Sequence, residues 1–382
     1  MFVIHGERRR RGLSFKSKLS YWLLACLAVG AVLIGHDLFR GGTQPVQKTV
    51  PISEDKPVPP ENGESKAAVK SLDDLVTQYG ELPLFDAHNH DAGDSKYVGM
   101  KEIWERNRVD RIILFGNVSE PSAVWTDEIA WDAYRKQPDV IIPFFSGVNL
   151  LEPSGVDHAR EMLEKGFFGI GEVAAASSYS PALSKVTWKT KDPMDGVLPQ
   201  IYELCAKYKA PILLHIDPPN GIGIQKFKEA LELYPDTLFI FAHANAYNSP
   251  ENIRELLAAY PNVYADFFAG FTAFNPESAN KLKDFIPVMK QFPDRFVLST
   301  DSGYGLKNEE QAIEGMYRLI DELGDKEIAR KNAHDNLYTM IRNQPATATQ
   351  LEAIRKLNKQ KVQTFPTEKL TKWEAGKRLT AN

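Results

Sequence analysis

The chain has 382 residues, of which 43% are hydrophobic, 25% charged and 10% aromatic, with a formal net charge of −4. This make-up excludes a mostly disordered, collagenous or many-pass membrane protein, and the slight acidity leaves no global basic field to attract nucleic acid. Two cysteines, Cys26 and Cys205, exclude a disulfide framework and a Cys-rich zinc site, so any metal falls to His, Asp and Glu.

The first eighteen residues carry Arg8, Arg9, Arg10, Arg11, Lys16 and Lys18 against Glu7 alone. An uncharged, proline-free run follows from Leu19 to Gly35, with Tyr21 and Trp22 at its start. As a helix it spans about 25 Å, slightly under the ~30 Å hydrocarbon core, and Leu38 and Phe39 extend it. The expectation is a basic cytoplasmic segment over 1–18, a transmembrane signal anchor over 19–39 and everything beyond on the extracellular side. Two other readings compete. Ala28-Val29-Gly30 is a small-x-small cleavage site, but it lies inside the apolar run. Leu23-Leu24-Ala25-Cys26 resembles a lipoprotein box, yet nine uncharged residues follow Cys26. Arg10-Arg11-Gly12-Leu13 weakly matches a twin-arginine export signal. Residues 40–66 contain Pro45, Pro51, Pro57, Pro59 and Pro60 and no apolar face, which predicts an extended linker.

From 67 to 345 short apolar runs alternate with amphipathic stretches. Eight strands are predicted: Leu84–His88, Arg111–Phe115, Val140–Phe145, Phe168–Val173, Ile212–Ile216, Leu238–His243, Val263–Phe267 and Phe296–Thr300. Helices are predicted between them, among them Asp157–Lys165, Leu198–Lys207, Ile224–Leu233, Glu251–Ala259 and Ala279–Gln291. Leu198, Ile201, Tyr202 and Cys205 follow the helical period and place Cys205 on a core face. Eight such units predict an α/β fold, a (β/α)8 TIM barrel carrying an N-terminal transmembrane anchor. A doubly wound open sheet is the rival, but no glycine fingerprint follows the first strand. Gly166, Gly169 and Gly171 read as packing glycines. Residues 346–382 hold eight Lys/Arg against three Glu and read as a basic C-terminal helix and tail, packed on the barrel or meeting an anionic surface.

Metal-type side chains collect at the C-terminal ends of these strands, which share one mouth in a barrel. His88 and His90 end the first strand and share a face, because strand side chains alternate. Glu172 ends the fourth, His215 the fifth and His243 the sixth; Asp301 follows the eighth. Each alone is weak, whereas six at one end of five strands make a coherent set. No Gly-x-Ser-x-Gly elbow is present, and Cys205 lies on a helix, so serine and cysteine hydrolases are not indicated. Asp86 and Asp217 share parity with His88 and His215; either orients a ligand or packs in the barrel. The long loop after the fourth strand, Ala174 to about Gly196, carries Tyr179, Lys185, Trp188, Lys189 and Lys191, and its lysines either meet an anionic substrate group or are simply exposed. Phe267, Phe268, Phe271 and Phe274 form an apolar wall or pack beneath the loop, and Tyr304 lies near the metal.

His88-x-His90, Glu172, His215, His243 and Asp301, in that order, resemble the ligand set of the amidohydrolase superfamily of metal-dependent hydrolases. Asn332-Ala333-His334-Asp335-Asn336-Leu337-Tyr338 is similar to the Asn-Ala-x-x-Leu-Phe closing segment of its "amidohydrolase 2" branch, with one extra residue before Leu337. The resemblance covers about residues 80–345. It implies one or two divalent ions, zinc first, with manganese or iron also suited. In the binuclear form His88, His90 and Asp301 hold one ion and His215 and His243 the other. Glu172 bridges them in place of the family's carboxylated lysine, as in the TatD-like variant. In the mononuclear form His88, His90, His215 and Asp301 bind the ion and His243 polarises the substrate. Either form implies hydroxide generated on the metal, with Asp301 as the proton acceptor and the metal or His243 at the oxyanion. The implied activity is cleavage of a C–O or C–N bond in a small-molecule lactone, ester or amide. A mononuclear decarboxylase or hydratase is the alternative, and an inactive barrel serving as a binding protein is the third. The partners expected are a small-molecule substrate and the membrane, with no nucleic acid.

Overall fold

The computed structural model of the chain describes residues 69–217, 219–360 and 369–381. The expected cytoplasmic segment, transmembrane anchor and linker lie outside these residues. Among the described residues no helix is long and apolar enough to cross a membrane.

The eight expected strands are present as β1 (Leu84–Asn89), β2 (Val109–Leu114), β3 (Ile141–Phe145), β4 (Gly169–Ala176), β5 (Ile212–Ile216), β6 (Phe239–Phe241), β7 (Val263–Phe268) and β8 (Phe296–Ser299). They form one parallel sheet in sequence order, each strand hydrogen-bonded to the next. Both faces of these strands are covered, which is why they read as near-continuous apolar runs and not as alternating ones. β4, for example, is buried at all eight positions. The sheet curls into a barrel whose seam joins β8 to β1. There Asp86 of β1 accepts hydrogen bonds from Thr300 N (2.9 Å) and Thr300 Oγ1 (2.6 Å), just beyond β8.

Helices follow the strands, including Tyr97–Arg106, Pro121–Lys136, Ser154–Lys165, Leu198–Tyr208, Ile222–Leu233, Pro250–Ala259, Leu282–Gln291 and Glu309–Leu323. Leu198, Ile201, Tyr202 and Cys205 are all buried on one helix, as their period requires. Gly166 caps its helix at φ +122°, and a Cβ on Gly171 (φ +136°) would meet Leu213 Cβ at 2.6 Å. Gly171 thus lets β4 approach β5 closely enough to aim its neighbour Glu172 inward.

The closing segment contains a π turn at Lys331–Asp335. One residue added to a helix makes such a bulge, which accommodates the extra residue before Leu337. Asn332 and Asn336 tie the segment to the barrel by donating to Pro293 O at 2.7 and 3.0 Å. The basic tail returns to the barrel floor through helices Ala348–Gln360 and Lys372–Thr380. Gln344 Nε2 donates to Phe168 O (2.6 Å), and the buried Lys372 Nζ donates to Phe167 O (2.8 Å). Of the two readings of the tail, packing on the barrel is the one seen for these residues.

Candidate metal centre and active site

The six expected residues meet at the barrel mouth. They form two groups whose ligand-type atoms lie within 4.8 Å of one another: His88, His90 and Asp301, and Glu172, His215 and His243. All are buried except His90, which is half-buried.

Each imidazole can be followed atom by atom. His88 Nδ1 is 2.8 Å from Asp266 Oδ2, and His90 Nδ1 is 2.8 Å from Gly116 O. A carbonyl and a carboxylate only accept, so both Nδ1 atoms carry hydrogen, and in the neutral rings both Nε2 atoms present bare lone pairs. Those two Nε2 atoms face each other at 3.0 Å, with Asp301 Oδ1 at 3.4 Å and 3.5 Å from them. On the other side, His215 Nε2 is 3.2 Å from Asp217 Oδ2, which leaves Nδ1 bare toward Glu172 Oε1 (2.9 Å) and His243 Nε2 (3.1 Å). Lone pairs converging without a donor between them are the electrostatic requirement for a cation, and imidazole with carboxylate suits zinc, manganese or iron. The donor set therefore fits a divalent metal.

Glu172 stands between the groups. Its Oε1 lies 2.9 Å from His215 Nδ1 and 3.1 Å from His243 Nε2, and its Oε2 lies 3.8 Å and 3.6 Å from the Nε2 atoms of His88 and His90. The local field has the same sign throughout. Burial alone would raise the Glu172 carboxyl, yet His215, His243 and His88 hold it well below the carboxylate range. Burial alone would lower His88, yet Asp301, Asp266 and Glu172 push it up to about 10. Likewise, burial disfavours charge on His215, but Glu172 and Asp217 raise it to about 9. A site that draws protons this strongly draws metal cations by the same potential.

The backbone supports the geometry at two rare positions. His243 (φ +31°) and Asp301 (φ +46°) adopt left-handed conformations that non-glycine residues seldom hold, and such outliers gather at functional sites. His243 is held there by its N–H, which donates to Asp266 Oδ2 at 2.9 Å. Asp266 was not singled out from the sequence, yet one oxygen fixes both His88 and the His243 backbone. The available signal was a lone carboxylate inside the apolar run Val263–Phe267.

The neighbouring acids divide between two tasks. Asp86 touches no ligand ring; besides Thr300 it accepts from His88 N (3.2 Å) and Asn89 Nδ2 (3.3 Å), so it closes the barrel. Asp217 contacts His215 and also accepts from Ser177 Oγ, Ser178 N, Tyr179 N and Ser180 N at 2.6 to 3.0 Å. One carboxylate thereby orients a ligand and ties down the start of the loop after β4.

That loop shapes the mouth. A cavity of about 390 Å³ reaches His90, Glu172, His215, His243 and Asp301, and is also lined by Ser180, Leu183 and Val186 of the loop and by Tyr247, Phe268, Phe271 and Tyr304. Phe268 and Phe271 match the expected wall, and Tyr304 lines the same cavity as Asp301. Phe267 instead packs behind it, 4.9 Å from the Phe285 ring, and Phe274 lies beneath the Arg318 guanidinium at 5.3 Å. The loop lysines do not line the cavity. Lys189 is turned to the loop's own backbone, donating to Leu183 O (2.9 Å) and Ser184 O (3.3 Å). Tyr247 was also missed from the sequence; it follows His243 by one helical turn in Ala244–Tyr247, and its ring lies 6.1 Å from that imidazole.

Residues 113–331 match the family model described as Amidohydrolase. Among curated proteins, no sequence matches significantly. Solved structures are similar to the chain at low identity. A TIM-barrel protein from Bordetella bronchiseptica is 14% identical over 68% of this chain and 98% of its own, with a TM-score of 0.51. A 2,6-dihydroxybenzoate decarboxylase from Rhizobium is 15% identical over 68% of this chain and 98% of its own (TM-score 0.43). A TatD homologue from Escherichia coli is 15% identical over 68% of this chain and 97% of its own (TM-score 0.47).

Proposed function

The chain belongs to the amidohydrolase family, and we propose that it is a binuclear metal-dependent hydrolase that cleaves a C–O or C–N bond in a small-molecule lactone, ester or amide. The observation that carries this reading is the division of Glu172, with one oxygen toward His215 and His243 and the other toward His88 and His90. In this reading His88, His90 and Asp301 hold one ion, His215 and His243 hold the other, and Glu172 spans both. Divalent ions bound there supply Lewis acidity toward a carbonyl oxygen and acidify water at neutral pH.

The protein's own groups do the rest. Asp301 accepts a proton from the attacking water and returns it to the leaving oxygen or nitrogen. Asp266, Gly116 O and Asp217 fix the ring orientation of His88, His90 and His215, so that no reorientation accompanies the reaction. Leu183, Val186, Phe268 and Phe271 give the cavity an apolar wall from which a bound substrate would displace water. We propose further that the basic 1–18 segment and the apolar 19–39 segment anchor the chain in the membrane with the barrel outside. The support is their charge asymmetry alone.

The test of the chemistry is Asp301→Asn assayed on a panel of lactones, esters and amides. Turnover should fall by about 10²- to 10⁴-fold while metal is still bound. Undiminished hydrolysis by that variant would remove Asp301 from the proton transfer. Carbon dioxide release from an aromatic acid by the unaltered protein would replace hydrolysis with decarboxylation.

A further inference from the structure

The cavity also carries information about what it accepts. Away from the metal-type residues its wall is mainly apolar and aromatic, with Val118, Leu183, Val186, Phe268, Phe271, Tyr247 and Tyr304, and its polar members Asn117, Ser180 and Ser302 are uncharged. No lysine or arginine lines it, and the one further charged residue on the wall is an acid, Glu120. Lys189 of the loop is committed elsewhere, since it donates to two loop carbonyls. An anionic group carried at the far end of a substrate would lose its hydration there and gain no cationic partner, and Glu120 would repel it.

The apolar character continues outward. Among the described residues nine large hydrophobic side chains are exposed, and seven of them sit beyond strand C-termini or in the opening turns of the helices that follow. These are Val98, Val124, Trp125, Leu151, Tyr179, Ile222 and Tyr304, with Trp125 71% and Tyr304 53% exposed. In a barrel those positions share the mouth face. The barrel floor, where the β8-to-tail segments return, has no comparable set among the described residues.

We infer that the substrate is uncharged beyond its reacting carbonyl: an apolar, ring-bearing or acyl-bearing lactone, ester or amide whose non-reacting part lies along Leu183, Val186, Phe268 and Phe271 and emerges toward the rim. This rests on the hydrolase reading for the identity of the reacting group, but the claim about charge concerns the wall alone. The cavity, about 390 Å³, is at the small end of the ~300–1,000 Å³ range of ligand pockets. It admits one ring or short chain, and any longer apolar portion must lie on the rim.

The experiment is a binding comparison on the metal-loaded full-length chain in detergent, read by calorimetry and so independent of turnover. Benzohydroxamic acid and 4-carboxybenzohydroxamic acid present the same chelating end and differ only at the far end. 4-Methylbenzamide and 4-carboxybenzamide repeat the comparison without a chelator. The uncharged member of each pair should bind at least about tenfold more tightly, a difference of about 1.4 kcal/mol. Phe271→Arg or, independently, Val186→Arg should reverse the order in both pairs. Equal or tighter binding of the 4-carboxy compounds by the unaltered protein overturns the inference. Failure of the metal-site reading has a different signature: the hydroxamates lose their advantage over the amides, while the preference for the uncharged member persists in both pairs.

Discussion

Asp266 shows how much of the site depends on one oxygen. Its Oδ2 holds the Nδ1 of His88 and the backbone N–H of His243, two residues that belong to opposite ligand groups. Partners that fix a ligand imidazole typically contribute 10- to 100-fold to metal affinity. Asp266→Asn should weaken zinc or manganese binding by about that factor, measured by competition with a chromophoric chelator; affinity unchanged within twofold would take Asp266 out of this role. Five of the six metal-type residues were legible because each stands at or just beyond the end of an apolar strand, where a barrel points everything to one mouth; Glu172 was expected to end the fourth strand but lies within β4, which runs on to Ala176. Asp266 was not legible, because its role depends on what β1 and β6 place beside it. The loop lysines stayed open between two readings for a related reason: composition cannot tell that Lys189 spends its charge on Leu183 O and Ser184 O.

Among the elements, the helix Lys372–Thr380 makes a testable thermodynamic case. Lys372 is fully buried, with Phe167 O at 2.8 Å and the Phe168 ring at 5.9 Å. Burial pushes its amine down to about 7, against a smaller opposing pull from Cys205 and Glu164. A lysine whose folded value is depressed binds fewer protons folded than unfolded between about 7 and its ordinary value. Stability must therefore rise with pH across that window and carry the full penalty below it. Denaturant titrations should show the unfolding free energy increasing from pH 7 to pH 9, with the increase abolished in Lys372→Met and that variant more stable at pH 7. A Lys372→Met protein less stable than the parent at pH 7 would contradict this. The basic count of the tail was legible in the sequence; that one of its lysines lies under the barrel was not, since no local pattern distinguishes Lys372 from its neighbours.

For the whole molecule, closure of the barrel and occupation of its mouth are separable. Asp86 gathers four hydrogen bonds at the seam between β8 and β1. Asp86→Ala orphans those buried donors and should cost about 3 kcal/mol of stability, seen as a lower denaturation midpoint. Metal affinity should suffer less than in Asp266→Asn; the opposite order would exchange the two roles. All eight strands and their order were readable because doubly buried strands appear as continuous apolar runs. The seam was not, because it is stitched by a side chain whose parity also suited a ligand-orienting role. Chelator treatment should lower the melting temperature, and returning metal at ~100-fold its Kd should restore about 2.7 kcal/mol per site.

The central claim is that two ions share Glu172, and metal content per chain tests it most directly. Elemental analysis of the unaltered protein and of Glu172→Ala, purified side by side, should give close to two ions per chain for the first and one or none for the second. Close to one ion in both would contradict the account, remove Glu172 from the metal centre and leave a mononuclear site.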